Sequence, residues 1–545
     1  MKRDLAPYAG RWVAMAGEQV AGVGDTAVAA ERLGRRNRLR ERLAVYFVEP
    51  EGGQSMILPE QLQLLQPIFR RHDQPVHLVG GAVRDALLER SIKDLDFVVP
   101  SGAIRLAFKV ADSLNLPAYI LDRERDTGRV VLADGETTLD FARYRGDDLL
   151  DDLRFRDFTI NAMALPVAAR SRASLIDPCQ GQADLQAGLI RLTHPSAIED
   201  DPVRAMRAAR HAVDLGFSIE DATQEAVRKS AAQLDSVSVE RVRDELLKMM
   251  EGRAPASAVR TVLNLGLLTV VLPEVATLAN IPQTPPHFES ALAHTLRVMA
   301  SLTRIEALIT VDGPPNDTRL AEAYKTLMPY RQNLVAYLER RLDGGVSGHQ
   351  VLRLGALFHD VGKAETLTVE PDGRLRFFGH AEAGASLAQQ RLISLRLSRE
   401  VIRQTSAIVR GHMRPLFLAQ TPTLSRRATF RFFRDTGDAG LDITILAMAD
   451  QLALAPGGRQ DAQWHRLIQV ISQLHRHYFE NYRETVAPAA ILDGRDLIEI
   501  LQLQPGPKIG WLLEQLLEAQ AAGELNTREE AIALATKLAT NDDQQ

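Results

Sequence analysis

A double glycine, a short helix and a strand bearing two aspartates fall within 17 residues, Gly80 to Asp96, and no other stretch limits the fold so tightly. An apolar strand over Val76–Val79 runs into Gly80-Gly81. Arg84 and Asp85 follow on a short helix, and the next strand displays Asp94 and Asp96. Side chains alternate faces along a strand, so carboxylates at i and i+2 point the same way. Such a pair can hold two divalent ions about 3.5–4 Å apart, which suits in-line attack of a hydroxyl on phosphorus. The glycines let backbone N–H groups approach a triphosphate, and the helix start adds its positive end. By itself a GG before a helix is an ordinary turn, and a DxD is an ordinary solvated strand edge. Their order and closeness together point to nucleotide chemistry.

At 545 residues the chain is long enough for about three or four domains. A net charge of −5 argues against a general polyanion binder, so any contact with nucleic acid must come from local basic patches. Cys179 is the single cysteine, which excludes an internal disulfide framework and fits a reducing cytoplasm. It sits in DPCQG with no base nearby, a poor setting for a nucleophile. No apolar run approaches the roughly 18 residues of a membrane span. The N-terminal MKRDLAPYAGRW lacks the apolar core of a signal peptide. The expectation is a soluble cytoplasmic protein with no membrane and no obligate protein partner.

The fold class expected is α+β. Residues 1–50 read as a small ββαβ module: RWVAMAG and EQVAGVGD as a hairpin, TAVAAERLGRRNRLRER as a basic helix, LAVYFVEP as a returning strand. This run resembles a short bacterial domain of unknown function that opens YxGxWVA. Its Arg32, Arg35, Arg36, Arg38, Arg40 and Arg42 suit contact with RNA and are equally ordinary as a solvated helix face. Glu51–Ser55 reads as a linker. Residues 56–195 alternate strands and helices as an α/β head. From Asp201 onward nearly everything reads as helix: a neck over 196–275, a helical domain over 276–480 and a tail over 481–545. The closing NDDQQ is expected to fray.

Further motifs follow in order: LRFRDFTINAMA (153–164), DPCQGQADLQAGLIR (177–191), DDPVRAMRAAR (200–210) and VERVRDEL (239–246). With the first segment they resemble the motif series of class II tRNA nucleotidyltransferases and bacterial poly(A) polymerases, within the polymerase-β-like superfamily. The resemblance covers roughly residues 60–270 and returns at 492–531. It implies that Asp94 and Asp96 bind catalytic Mg²⁺ and activate the RNA 3′-hydroxyl. It implies that Gly80, Gly81 and Arg84 hold the triphosphate, that Arg156 and Asp157 contact the sugar, and that Asn161 contacts the phosphates. Asp201 and Arg204, at i and i+3 on one helix face, would read the base edge of C or A, with Arg207 beside them. Asp177, Gly181, Asp184, Arg191, Glu240 and Arg241 would brace the structure. Asp140, on a third strand, could supply a further carboxylate. Arg207, Arg210, Arg241, Arg243 and Lys248 are candidate contacts to tRNA.

Two departures matter. Phe155-Arg156 stands where the family usually has paired arginines. The stretch RYRGDDLLDDL (143–153) is short where enzymes that build the whole CCA end have a longer flexible loop, which argues against A addition.

The helical half holds His294, His359-Asp360, His380, His412 and Asp450, in the H…HD…H…H…D order of the HD phosphohydrolase superfamily. Imidazoles and carboxylates suit Mn²⁺, Ni²⁺, Co²⁺ or Zn²⁺. His359 and Asp360 would offer adjacent ligands, His294 and Asp450 would close the site, and His380 and His412 would allow a second ion. Lys363 could steady a phosphate.

The reading is a template-independent tRNA nucleotidyltransferase adding C, A or both from CTP and ATP to the tRNA 3′ terminus, with an HD phosphohydrolase activity. The alternatives are a poly(A) polymerase, and an HD phosphodiesterase whose head is inactive.

Overall fold

The structure, a computed structural model, describes residues 4–135, 137–284, 289–421, 423–455 and 458–542. Of the end expected to fray, residues 543–545 lie outside the described residues. Two compact units are present, Met1–Ser230 and Ala231–Gln545.

The first unit opens with β1 (Trp12–Ala16), β2 (Gln19–Gly24), α1 (Ala27–Asn37) and β3 (Leu43–Phe47). The strands form an antiparallel sheet in the order β2-β1-β3. Alternation along β1 sends Trp12 and Ala14 toward Ala30 of α1, and Val13 and Met15 into a second cluster with Val48. Thr26 caps α1 by accepting from Ala29 N at 3.0 Å. The helix expected to continue through Arg42 stops at Asn37, because the chain turns at Arg38 to re-enter the sheet at Leu43.

The same unit continues with α2 (Gln61–Phe69), β4 (His77–Val79), α3 (Gly81–Leu87), β5 (Asp94–Val99), α4 (Ala103–Leu114), β6 (Ala118–Asp122), β7 (Thr127–Val131), β8 (Thr138–Arg143), α5 (Leu149–Arg154) and β9 (Ala164–Pro166). Six strands pair in the order β6-β7-β8-β5-β4-β9. The β5–β8 pair is parallel and the others antiparallel. Period-two alternation buries Leu95, Phe97 and Val99 with Leu139 and Phe141. Phe97 and Phe141 stack at 5.0 Å, and Phe69 of α2 lies 5.3 Å from Phe97. That core fixes which face of β5 and β8 carries the aspartates.

The second unit is helical among its described residues, apart from the hairpin Thr368–Val369 with Leu375–Arg376. A second exception to all-helix after Asp201 lies in the first unit, where Ser218–Ile219 pairs in parallel with Leu189–Ile190. Helices Ala291–Leu308, Gly348–Phe358, His380–Ser394, Arg399–Gly411 and Gly440–Leu452 supply the candidate metal ligands or their immediate neighbours. Gly362 seats one of them closely: a Cβ there would fall 2.1 Å from His380 O. The C-terminal helices have a core of their own around Leu497, Leu512 and Leu516. The whole is a helix-rich α+β protein.

Candidate functional sites

Asp94 and Asp96 lie on one face of β5, with Leu95 between them buried on the other. Parallel pairing sets Asp96 directly opposite Asp140 of β8. Three carboxylates therefore share one patch of sheet. Asp94 is exposed and accepts from Thr138 Oγ1 at 2.7 Å. Asp140 is gripped by Arg129 of β7 through two bonds of 2.7 Å. Burial raises the Asp96 acid to about 6; Arg156 opposes the rise, and the like charges of Asp140 and Asp94 add to it. An all-oxygen donor set fits a hard divalent cation such as Mg²⁺.

Gly80 joins β4 to α3 with φ 70° and ψ −139°, a conformation open essentially to glycine alone. A Cβ there would fall 3.0 Å from Arg156 Nη1 and 3.3 Å from Asp96 Oδ2, so the backbone runs between a guanidinium and a site carboxylate. Gly80→Ala is expected to introduce about 1–3 kcal/mol of backbone strain at this point. Nucleotide incorporation by the purified variant should fall about tenfold or more, with its melting temperature lowered by about 2–4 °C per kcal/mol of strain.

Arg156 donates through Nε and Nη2 to Asp152 Oδ2 at 3.2 and 3.0 Å, and the buried Asp152 also accepts from Arg145 N at 3.0 Å. Arg84 donates to both oxygens of Asp85 at 2.9 Å and to Asn161 Oδ1 at 2.8 Å. Asn161 Nδ2 reaches Asp157 Oδ1 at 3.1 Å, and Arg207 Nη2 lies 2.9 Å from Asp157 Oδ2. Arg84, Asn161, Asp157 and Arg207 are thus linked in one polar chain. Burial pushes the Asp157 acid up, but Arg207, then His211 and the Asn161 bond, outweigh it and hold it well below the usual carboxylate range. Arg84, Asp157 and Asn161 are all buried and stiffen the floor of the site.

Asp201 and Arg204 fall together, but loosely, at 4.0 Å, and not on one helix face as expected: Asp201 has extended backbone, and the helix begins only at Arg204. Arg204 is buried and spends its donors on backbone carbonyls: Phe155 O at 2.8 Å, Ala197 O at 3.1 Å and Arg156 O at 3.4 Å. Those bonds fix the plane of its guanidinium. Asp200 bonds His194 at 2.8 Å.

Two pairs of the expected braces bond to one another, Asp177 with Gly181 and Asp184 with Arg191, while Glu240 bonds elsewhere. Asp177 accepts from Gly181 N and Gln182 N, Asp184 from Thr159 and Arg191, and Arg396 reaches Glu240. Of the candidate tRNA contacts, Arg210, Arg243 and Lys248 pair with Asp214, Asp244 and Glu245. Cys179 is part-buried, with its thiol raised by burial and then by Asp177, which suits no nucleophile.

Sequence reasoning missed Arg129 and Asp152. Arg129 is opposite Asp140 only through the β7–β8 register, and nothing local reports that. Asp152 sits in an acidic run that reads as solvated surface.

In the second unit six residues make two abutting groups whose ligand atoms lie within 4.8 Å of one another: His294, His359 and Asp450, then Asp360, His380 and His412. His359 and Asp360 fall in different groups, but their ligand atoms are close enough for both to serve one ion. The Asp360 carboxylate bridges them, with Oδ2 3.3 Å from His359 Nε2 and Oδ1 3.6 Å from His380 Nε2. His359, His380 and His412 each place Nδ1 against a backbone carbonyl, of Ala356, Phe377 and Val409, at 2.8, 2.9 and 2.7 Å. That turns every Nε2 inward, the orientation metal-ligating histidines take. Buried His359 Nε2 has no hydrogen-bond partner. Burial holds His412 down at about 3, so its ring is neutral and able to ligate near pH 7. Lys363 bonds Asp360 Oδ2 at 2.6 Å and Gln283 at 2.7 Å. This donor set fits a pair of transition-metal ions.

Among the described residues no helix is long and apolar enough to cross a membrane. Three family descriptions match the chain: the poly A polymerase head domain over residues 76–191, the RNA and SrmB-binding site of polymerase A over 216–278, and tRNA nucleotidyltransferase domain 2 over 378–535. An A-adding tRNA nucleotidyltransferase from Deinococcus radiodurans is 33% identical over 471 residues, 85% of this chain and 95% of the relative. A CC-adding tRNA nucleotidyltransferase from Thermus thermophilus is 32% identical, covering 84% of this chain and 92% of its own length. In fold the chain is similar to a CCA-adding enzyme solved with ATP, at a TM-score of 0.55 and 20% identity, covering 88% and 95% of the two chains.

Proposed function

This chain belongs to the tRNA nucleotidyltransferase family, and we propose that it extends the 3′ end of tRNA with C, A or both, without a nucleic-acid template. The observation that carries this reading is the carboxylate patch of Asp94, Asp96 and Asp140 on one face of a sheet, beside the Gly80 turn. Asp94 and Asp96 would hold Mg²⁺. When bound, that ion neutralises phosphate charge and favours the alkoxide form of the attacking hydroxyl. The rest of the work is positioning. Asp152 fixes Arg156 at the glycine turn, and the Arg84–Asn161–Asp157–Arg207 chain keeps the floor rigid. The carbonyls of Phe155, Ala197 and Arg156 hold Arg204 in one plane, so that with Asp201 it offers a fixed donor–acceptor edge. That edge suits the amine and ring acceptor of C or A and misfits U and G.

The connection from β8 to α5 spans only residues 144–148 and is tied by the Arg145 N–Asp152 bond. A stretch so short and fixed favours C addition over A addition. Labelled CTP and ATP, offered separately to a tRNA transcript that ends before CCA, test the reading. Incorporation of C that stops after two residues is the expected result. Long A tracts on arbitrary RNA would replace it with a poly(A) polymerase, and no incorporation of either would remove it.

A second reading stands beside the first because the six-residue cluster of the second unit is complete. It would bind two divalent transition ions and hydrolyse phosphate esters, with 2′,3′-cyclic phosphates or phosphomonoesters at RNA ends as the substrate class.

A further inference from the structure

We propose that the arginine array of the N-terminal module is a second RNA-binding surface, gripping tRNA phosphates outside the catalytic site. The inference rests on the tRNA reading above. Residues 32–42 hold six arginines against one glutamate, Glu41, so this stretch carries +5 (6 − 1) in a chain of net charge −5. The packing of α1 decides where that charge goes. Ala30 and Gly34 are buried against the sheet, and a Cβ at Gly22 would fall 2.3 Å from Ala30 O. The helix cannot roll, so its arginines face solvent.

Structural explanations cover only part of the array. Glu31 pairs Arg35 at 2.7 Å and Glu41 lies 3.6 Å from Arg38. The helix dipole favours Arg35 and Arg36 in the last turn. Among the described residues Arg32, Arg36, Arg40 and Arg42 have no acidic partner within 4.0 Å, and Arg32 and Arg36 repel at i and i+4. Leu33 and Leu39 stand among them, 40% and 84% exposed. Guanidinium groups interleaved with apolar side chains match a polyphosphate backbone whose sugars and bases offer apolar faces.

The module is also fastened to the head. Glu49 accepts from Ser174 Oγ at 2.6 Å and from Arg170 N, and Met56 N bonds Arg170 O at 2.7 Å. Phe47 packs against both the module's core and the head's core. RNA held by these arginines is therefore held by the unit that carries Asp94 and Asp96.

The test compares two full-length variants with equal charge change: Arg32→Glu/Arg36→Glu/Arg40→Glu/Arg42→Glu, and Arg105→Glu/Lys109→Glu/Arg123→Glu/Arg125→Glu on other exposed parts of the head. In the first, KM for tRNA should rise at least fivefold, with kcat and the nucleotide KM unchanged. Its log–log salt dependence should be shallower by about two or more, roughly one for each phosphate no longer neutralised. The second should change KM for tRNA less than twofold. A first variant within twofold of wild type, or a second that reproduces the full loss, overturns the proposal. So does wild-type binding to phosphatidylserine vesicles that the first variant loses while its KM for tRNA stays put. Failure of the tRNA reading looks different: the wild-type chain would then extend no tRNA at all.

Discussion

Asp94→Ala and Asp96→Ala, singly or together, will abolish nucleotide incorporation and leave the protein folded. In the proposed function these carboxylates set a metal ion against a phosphate. Losing that ion forfeits several kcal/mol of transition-state stabilisation, so activity should fall about a thousandfold or more. Stability should move the other way, if at all. Asp94 is exposed, and Asp96 is an acid that burial lifts to about 6, with two like charges adding to it. At pH 7 its ionised form costs folding free energy, because its folded value stands above its unfolded one. Removing it should therefore keep or raise the melting temperature, a common sign of residues kept for activity. Incorporation within tenfold of wild type by the folded double variant would sink the assignment.

His359→Ala combined with Asp360→Asn will strip the second unit of transition metal. Wild-type protein purified without chelator should carry one to two ions per chain by mass spectrometry, and the variant almost none. Release of phosphate from phosphomonoesters and opening of 2′,3′-cyclic nucleotides should fall about a hundredfold or more. Incorporation of CTP by the head should persist. Chelation should lower the wild-type melting temperature and leave the variant's unchanged, since a ligand that binds only the native state stabilises it. Equal metal content in the two proteins, or hydrolysis that survives the substitutions, would remove the hydrolase reading and spare the transferase one.

What could be read from the sequence followed periodicity. The i, i+2 aspartates need only a strand to share a face, and the buried Leu95, Phe97 and Val99 supply it. The histidine order survives in the fold because each residue sits at or beside a helix terminus or in a helix, where spacing dictates direction. What could not be read depends on register and on competition for donors. Asp140, expected as a further carboxylate, meets Asp96 because β8 pairs with β5 in parallel, but Arg129 reaches Asp140 only through the neighbouring hairpin, which no local pattern reports. The partners that orient Arg84 and Arg204, namely Asp85 and Asn161 for the one and three carbonyls for the other, are likewise set by the fold. Side-chain hydrogen bonds across 77 residues, as between Arg84 and Asn161, leave no local trace in the chain. The division of His359 and Asp360 between two groups depends on the helices that face them.

In the proposed function Asp94 and Asp96 jointly hold a divalent ion beneath a bound nucleoside triphosphate. A crystal of the wild-type chain grown with Mn²⁺ and a non-hydrolysable CTP analogue tests it most directly. The expected result is an anomalous difference peak touching both carboxylates and the analogue's phosphates, with Asp140 still gripped by Arg129. A bound analogue with no peak at Asp94 and Asp96, or with its phosphates on another face of the sheet, would contradict it.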